Sequence, residues 1–348
     1  MKVAIATVQV PFITGGAEVL ANALKDQLLR RGHEVDIVTL PFKWYPPGQI
    51  LKCMLMARLT DLTDVNGQRI DRVIAMKFPA YYISHPHKAL WLMHQHRQAY
   101  DFYGTDHSDL WQTPDGRAIA AEVKRWDDEF LPTSNPRYTI SQNVANRLKR
   151  FNNVNALPLH VPLNRPDAYQ PGPYGDYILY PSRFDSVKRQ HLLLDAIERT
   201  PSGLRAVFTG QTDSEYGRGI LRRVESTPLL RERVKILGLV PEQTKLELYS
   251  HCAAVYNGVL DEDYGYLTIE GFYAAKPVIT HTDSGGPLEF VKHDHNGWVL
   301  SPDAAALAEC LTSIALRRAP VAEMGANARR SILEANLCWD RVISALLA

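Results

Sequence analysis

Apolar residues recur along this chain with two periods, and the alternation between them predicts most of its elements. Val3 to Val8 is a continuous apolar run, the pattern of a strand buried on both faces. Leu20, Leu24, Leu28 and Leu29 then recur at helical spacing, so Gly15-Gly16-Ala17-Glu18 opens a helix that runs to about Arg31. Gly32 ends it, and Glu34 to Leu40 returns as a strand, closing a β-α-β unit. Trp44 to Leu59 carries apolar residues throughout. Its low basic charge favours a core helix behind an aromatic loop over a helix lying on a membrane surface. Further strands are expected at Asp71 to Met76, Ala89 to Met93, Arg137 to Ile140 and Asn155 to His160. Ser108 to Asp128 reads as a polar loop and a helix, and Ser141 as the N-cap of a helix over Asn143 to Arg150.

The Pro/Gly cluster from Val161 to Gly175 is the clearest linker, and the pattern restarts after it. Strands are predicted at Tyr177–Tyr180, Leu204–Phe208, Val234–Leu237, Ala253–Tyr256, Val278–Thr280 and Trp298–Leu300. Helices fall at Gln190–Glu198, with Leu192, Leu193, Leu194 and Ile197 inward, at Thr244–Ser250, and from near Tyr266. Asp283-Ser284-Gly285-Gly286-Pro287 reads as a second glycine-rich helix start, and the tail from Ala304 as helical, broken near Pro320 and Asn336. Strands alternating with helices in both halves imply an α/β chain with two parallel, helix-flanked sheets.

Composition changes this picture little. The 348 residues are 45% hydrophobic and 22% charged, enough for two α/β domains with separate cores. The net charge of +1 offers no global field for nucleic acid. Cys53, Cys252, Cys310 and Cys338 are scattered without paired spacing, which argues against a disulfide framework or a zinc site and fits a reducing cytoplasm. The opening residues read as a strand and not a secretion signal, and no apolar run approaches the roughly 20 residues that span a bilayer.

The candidate chemistry gathers in the second half. Glu262 and Glu270 lie eight positions apart around Gly265, one in a loop and one a turn inside a helix. Helical side chains lean towards the N-terminus, so both carboxylates can serve one pocket above the free N–H groups of a helix mouth. A solvated glutamate pair is the alternative. Arg183 and Lys188 follow the first strand of this half and offer a planar fork and a point charge, a pairing suited to a diphosphate. A solvated basic turn is the commoner fate of such residues. In the first half, Gly15-Gly16 allows close approach to a helix start, or is a plain tight turn; it is not a dinucleotide fingerprint. His94 and His96 emerge at the C-terminal end of a strand, where ligands collect in open α/β sheets. No neighbouring ligand set makes them a metal site, so one is expected to pack and one to face a pocket.

Taken together, Gly15-Gly16-Ala17-Glu18, Arg31-Gly32-His33-Glu34-Val35, His94, Ser182-Arg183-Phe184 with Lys188, Gly238-Leu239-Val240, Glu262-x7-Glu270 and Asp283-Ser284-Gly285-Gly286-Pro287-Leu288-Glu289 make the chain resemble a family 4 retaining glycosyltransferase of the GT-B type, among the glycosyl transferases of group 1. The resemblance implies two Rossmann-like domains facing across a cleft: an acceptor-side domain over 1–165, a nucleotide-sugar domain over 166–330, and a C-terminal helix in 331–348 crossing back to the first. It implies transfer, commonly of a hexose, from a nucleotide-diphosphate sugar to a carbohydrate or lipid-linked acceptor, with no metal and no cofactor. A bacterial polysaccharide or glycolipid is the acceptor suggested by analogy. Glu270 would bind the ribose and Glu262 face the donor sugar. Arg183 and Lys188 would neutralise the diphosphate, helped by the N–H groups of Gly265, Tyr266 and Leu267. Gly15-Gly16 would approach the phosphates, His94 would lie near the reacting centre, and the base would rest near Gly210 and Val240.

The chain departs from the family pattern at Tyr256-Asn257-Gly258-Val259-Leu260-Asp261, at Asp263-Tyr264-Gly265-Tyr266 and at Ser182. The partners implied are therefore a nucleotide sugar and an acceptor, without nucleic acid. A cytoplasmic location follows, with contact at the inner membrane face through Trp44-Tyr45 if the acceptor is lipid-linked. The alternatives are a GT-B nucleotide-sugar epimerase and a non-catalytic two-domain sugar-binding protein.

Overall fold

The computed structural model describes residues 1–12, 15–200, 203–316 and 319–348; the expected helical tail at Arg317 and Arg318 lies outside the described residues. The chain forms two compact units, Met1–Pro162 with Cys338–Ala348, and Leu163–Leu337.

The first unit runs β1 (Lys2–Gln9), α1 (Gly16–Arg30), β2 (Glu34–Pro41), α2 (Gly48–Leu59), a small hairpin of β3 (Asp64–Val65) and β4 (Gln68–Arg69), β5 (Arg72–Ala75), β6 (Lys88–Leu92), α3 (Gly116–Phe130), β7 (Arg137–Thr139), α4 (Gln142–Asn152) and β8 (Leu157–Pro158). Its parallel sheet has the order β2-β1-β5-β6-β7-β8. The side chain of Ser141 caps α4, accepting the Val144 N–H at 3.0 Å. Two expectations change. Leu29 is exposed, because α1 buries Leu20, Leu24 and Leu28 and turns Leu29 outward. The apolar run in α2 is core on one face only: Ile50, Cys53, Met54 and Ala57 are buried, whereas Leu51, Leu55 and Leu59 are exposed.

A carboxylate sits in the middle of this unit. Asp127 of α3 is fully buried, and its carboxylate accepts hydroxyl hydrogens from Tyr81 at 2.8 Å, Tyr82 at 2.6 Å and Tyr100 at 2.7 Å. Asn152 of α4 extends the network, donating to the Tyr100 hydroxyl at 3.0 Å and to Asp128 at 2.7 Å, and it accepts from Gln95. The segment after β6, which carries His94, is thereby fastened to α3 and α4.

The second unit runs β9 (Tyr177–Pro181), α5 (Gln190–Arg199), β10 (Arg205–Thr209), α6 (Glu215–Ser226), α7 (Pro228–Arg233), β11 (Val234–Ile236), α8 (Glu242–His251), β12 (Ala254–Tyr256), α9 (Tyr266–Tyr273), β13 (Val278–His281), β14 (Gly297–Leu300), α10 (Ala304–Ala315) and α11 (Val321–Glu334). Its parallel sheet has the order β11-β10-β9-β12-β13-β14. Ile178, Tyr180, Phe208, Leu193, Ile197, Leu307 and Leu311 are among the residues of its core. The pair α6 and α7 has no counterpart in the predicted elements. Charged residues at 215–233 obscure its apolar face of Ile220, Val224 and Leu230. The expected glycine-rich helix at 283–287 is only a short 3-10 turn over Gly286–Glu289. A boundary at 330 would cut α11.

Helix α12 (Trp339–Leu347) belongs to the first unit. Trp339 meets Trp91 of β6 edge-on, ring centroids 6.3 Å apart, and Arg31 pairs with Asp340 at 2.5 Å.

Burial pushes the Asp127 carboxyl up to about 7, against the pull of its three hydroxyl partners. A carboxyl raised in the folded state holds its proton where the unfolded chain has lost it. Its contribution to stability is therefore complete at acid pH and declines as pH rises from about 4 to about 7. Relative to Asp127→Asn, the wild type is expected to be more stable at pH 5 than at pH 8 by roughly 2–3 kcal/mol. Urea denaturation followed by tryptophan fluorescence at the two pH values checks this; parallel profiles for the two proteins would refute it.

Candidate functional site: a helix mouth at the β9/β12 switch point

In the second sheet the chain winds outward from β9 through β10 to β11, then returns to β12 and winds the other way through β13 to β14. The connections after β9 and β12 therefore leave in opposite directions, which opens a crevice at their C-terminal ends. Arg183 and Lys188 lie on the connection after β9, and Glu262 on the one after β12. The Leu260 N–H donates to the Val187 carbonyl at 2.9 Å and joins the two.

The turn after β9 is rigid. Asp185 accepts the Val187 N–H at 3.1 Å, and the Tyr180 hydroxyl donates to the Lys188 carbonyl. Arg189 has a left-handed backbone (φ 54°) and grips Asp283 with both guanidinium nitrogens, at 2.9 and 3.1 Å. Lys188, the neighbour of Arg189, donates its ammonium to Glu262 Oε2. Arg183 projects with its side chain 64% exposed, its nearest carboxylate being Asp185 at 3.7 Å. Gly210 (φ 129°) packs against this turn: a Cβ there would fall 2.4 Å from the Ser182 carbonyl oxygen. Its N–H donates to the Gly238 carbonyl at 2.8 Å, bringing the half-buried Val240 segment alongside.

The loop after β12 is zipped to the segment after β13. The N–H groups of Asp261 and Glu262 donate to the carbonyls of Asp283 and Ser284 at 2.9 and 2.8 Å, and the Gly286 N–H donates to the Glu262 carbonyl at 2.8 Å. Only a glycine fits at 286, where a Cβ would stand 2.7 Å from the Tyr264 backbone. Gly265 then takes a left-handed conformation (φ 89°) as the N-cap of α9 and supplies no capping side chain. Among the described residues, the N–H groups of Gly265, Tyr266 and Leu267 have no acceptor within the chain. They are unspent donors at the positive end of a helix, beside Glu262. Tyr264 is buried and packs edge-on against Tyr266 and Phe290, with ring centroids 5.2 and 5.7 Å apart.

Glu270, one turn into α9, is 8% exposed and held by three donors. Oε1 accepts from the Tyr169 hydroxyl at 2.7 Å and the Lys245 ammonium at 2.6 Å; Oε2 accepts from the Tyr249 hydroxyl at 2.5 Å. Sequence reasoning missed these three residues. Tyr169 falls in the stretch read as linker, which the structure packs onto α9: Lys276 donates to the carbonyls of Gly172 and Pro173 at 2.9 and 3.0 Å. Lys245 and Tyr249 are four apart on α8, a spacing that places them on one face and that the sequence does display.

The remaining candidates lie in the first unit. Gly15 precedes α1 and donates its N–H to Glu18 Oε2 at 2.8 Å; Gly16 begins the helix. His94 is half-buried after β6, its Nδ1 2.6 Å from the Gln95 carbonyl oxygen. His96 stacks on Phe78 at 4.9 Å, and burial pushes its imidazole down to about 3, so it packs as a neutral ring. Among the described residues no three His, Cys, Asp or Glu side chains cluster at metal-binding distances, and no helix is long and apolar enough to cross a membrane.

Residues 171–331 match the family model of glycosyl transferases group 1. The matched stretch lies within the second unit. The chain is 25% identical over 210 residues to the alpha-1,3/1,6-mannosyltransferase ALG2 of Dictyostelium discoideum, covering 56% of this chain and 49% of that protein. It is 24% identical over 366 residues to an uncharacterized glycosyltransferase of Methanocaldococcus jannaschii, covering 88% of this chain and 87% of the other. The fold of the chain is GT-B, and the chain spans about half the length of the first of these relatives. The sucrose-phosphate synthase of Thermosynechococcus elongatus superposes with a TM-score of 0.74 at 17% identity, over 97% of this chain and 96% of that one. Anabaena HepE, solved with UDP-glucose, gives 0.70 at 17% identity, over 99% and 100%.

Since the Gly286 contact is with backbone, Gly286→Ala cannot be absorbed by a side-chain rotation. It is expected to cost about 1–3 kcal/mol and to displace the Glu262 loop. The check is a thermal melt; a melting point indistinguishable from wild type would show that the loop yields.

Proposed function

We propose that the protein is a retaining, metal-independent glycosyltransferase that moves a sugar from a nucleotide-diphosphate donor to a carbohydrate or lipid-linked acceptor. The observation that carries this is the trio of unspent N–H groups at Gly265, Tyr266 and Leu267, on the same loop as Glu262 and its partner Lys188. Such donors are aimed before any ligand arrives. They favour the charge that grows on a departing diphosphate. Arg183 and Lys188 add two cations, so the residues themselves can balance a diphosphate.

In the reaction proposed, the bond between the sugar's anomeric carbon and the phosphate oxygen breaks. The acceptor oxygen bonds that carbon on the same face, and the acceptor proton passes to the departing phosphate oxygen. Glu262 orients the donor sugar, and Glu270 holds the ribose. The base lies near Gly210 and Val240. By the family resemblance alone, His94 is assigned a role near the reacting centre and Gly15-Gly16 a role towards the phosphates. The relatives named as mannosyltransferases and the neighbour bound to UDP-glucose make hexose donors the first to test. A polysaccharide or glycolipid acceptor and a cytoplasmic location are part of the same proposal.

Two measurements test it. Thermal shift in EDTA with UDP, GDP, ADP and dTDP is expected to raise the melting temperature with at least one of them; no shift with any would count against the whole proposal. With the donor so identified, Lys188→Ala and Glu262→Ala are expected to lower kcat/KM on the order of a hundredfold or more while leaving the fold intact. Wild-type turnover in both variants would overturn the site. Donor consumed with no product on any acceptor would point to epimerase chemistry instead.

A further inference from the structure

Glu270 is almost fully occupied before any ligand arrives. A carboxylate offers about four lone-pair directions. Three are taken, two on Oε1 by Tyr169 and Lys245 and one on Oε2 by Tyr249. A ribose diol bound across both oxygens needs two. Tyr169 and Tyr249 are 5% and 0% exposed, and burial together with the neighbouring carboxylate pushes both phenols well up, so they stay as donors. Neither hydroxyl can leave without stranding itself in the interior.

Lys245 differs from the two tyrosines. Its ammonium has three hydrogens, and the bonds to Glu270 at 2.6 Å and to the Tyr169 hydroxyl at 3.1 Å use two of them. Its side chain is 26% exposed, against 11% for Glu270, so it forms the solvent-side edge of the cluster. It also stands on the first turn of α8, just past the Gly238–Val240 segment assigned to the base.

We infer that Lys245 is a ribose-binding residue: one ribose hydroxyl donates to the remaining position on Glu270 Oε2, and the other accepts the third hydrogen of the Lys245 ammonium. The sugar of the nucleotide is then read by a Glu–Lys pair and not by Glu270 alone. This rests on the nucleotide-sugar reading above, and it makes the lysine a determinant of ribose against deoxyribose.

The test is calorimetric binding to the full chain of whichever of UDP, GDP or ADP binds best, with its 2′-deoxy and 3′-deoxy forms, in wild type, Lys245→Met and Lys245→Arg. The methionine variant is expected to bind the ribonucleotide roughly ten- to a hundredfold more weakly. It should bind one of the two deoxy forms no worse than the ribonucleotide, while wild type discriminates against it. Lys245→Arg should restore part of that discrimination. Equal weakening towards all three ligands would show a merely structural lysine, and ribonucleotide binding within twofold of wild type would show an uninvolved one; either overturns the inference while the nucleotide site stands. Failure of the wild type to bind any of the three diphosphates would overturn both.

Discussion

The positions of Glu262 and of the α9 helix mouth depend on one short piece of backbone pairing. Asp261 and Glu262 bond to Asp283 and Ser284, and Gly286 bonds back to Glu262, so two loops leaving neighbouring strands run on as a ladder past the sheet. This works because Gly286 brings no Cβ to the Tyr264 backbone. The pairing fixes where α9 begins, and so where its unspent N–H groups point. Asp283, held in that ladder, anchors Arg189 and through it the lysine next door. The unspent N–H groups are therefore positioned chiefly by main-chain contacts.

The side chains come in opposed pairs. Glu262 meets Lys188, and Glu270 meets Lys245. Neither glutamate is left as an isolated part-buried charge, which would be costly. The pairing also sets terms for a ligand. In the proposed reaction a diphosphate competes with Glu262 for Lys188. A neutral ribose, bound as proposed, has no such pull on Lys245 and fits around an intact pair. In that proposal one lysine exchanges partners and the other keeps its partner. Arg183, the most exposed of the cations, has little to give up.

Most of the architecture was legible in the sequence, because buried parallel strands read as apolar runs and the helices between them show a 3.6-residue period. What escaped was set by local competition. Leu29 sits at helical spacing yet faces out, since the packed face of α1 is already filled by Leu20, Leu24 and Leu28. The glycine pair at 285–286 looked like a helix start but serves the ladder, and its turn ends after four residues. Lys188 and Glu262 meet because they follow the neighbouring strands β9 and β12, a relation that needs only strand order. The partners of Glu270 needed more. Tyr169 is 101 positions away in a segment whose prolines and glycines read as loose chain.

That segment is fixed in place. Lys276 is fully buried and spends its ammonium on the carbonyls of Gly172 and Pro173, so a residue beside the glutamate motif fastens the chain entering this unit. Tyr169 then closes over Glu270 as part of the same strap. The Asp263-Tyr264 departure from the family pattern reads differently in this light. Tyr264 is buried, its backbone against Gly286 and its ring against Phe290. The half-buried Tyr266, whose ring meets Tyr264 edge-on, stands with Glu262 and Asp263 on the more open side of this stretch.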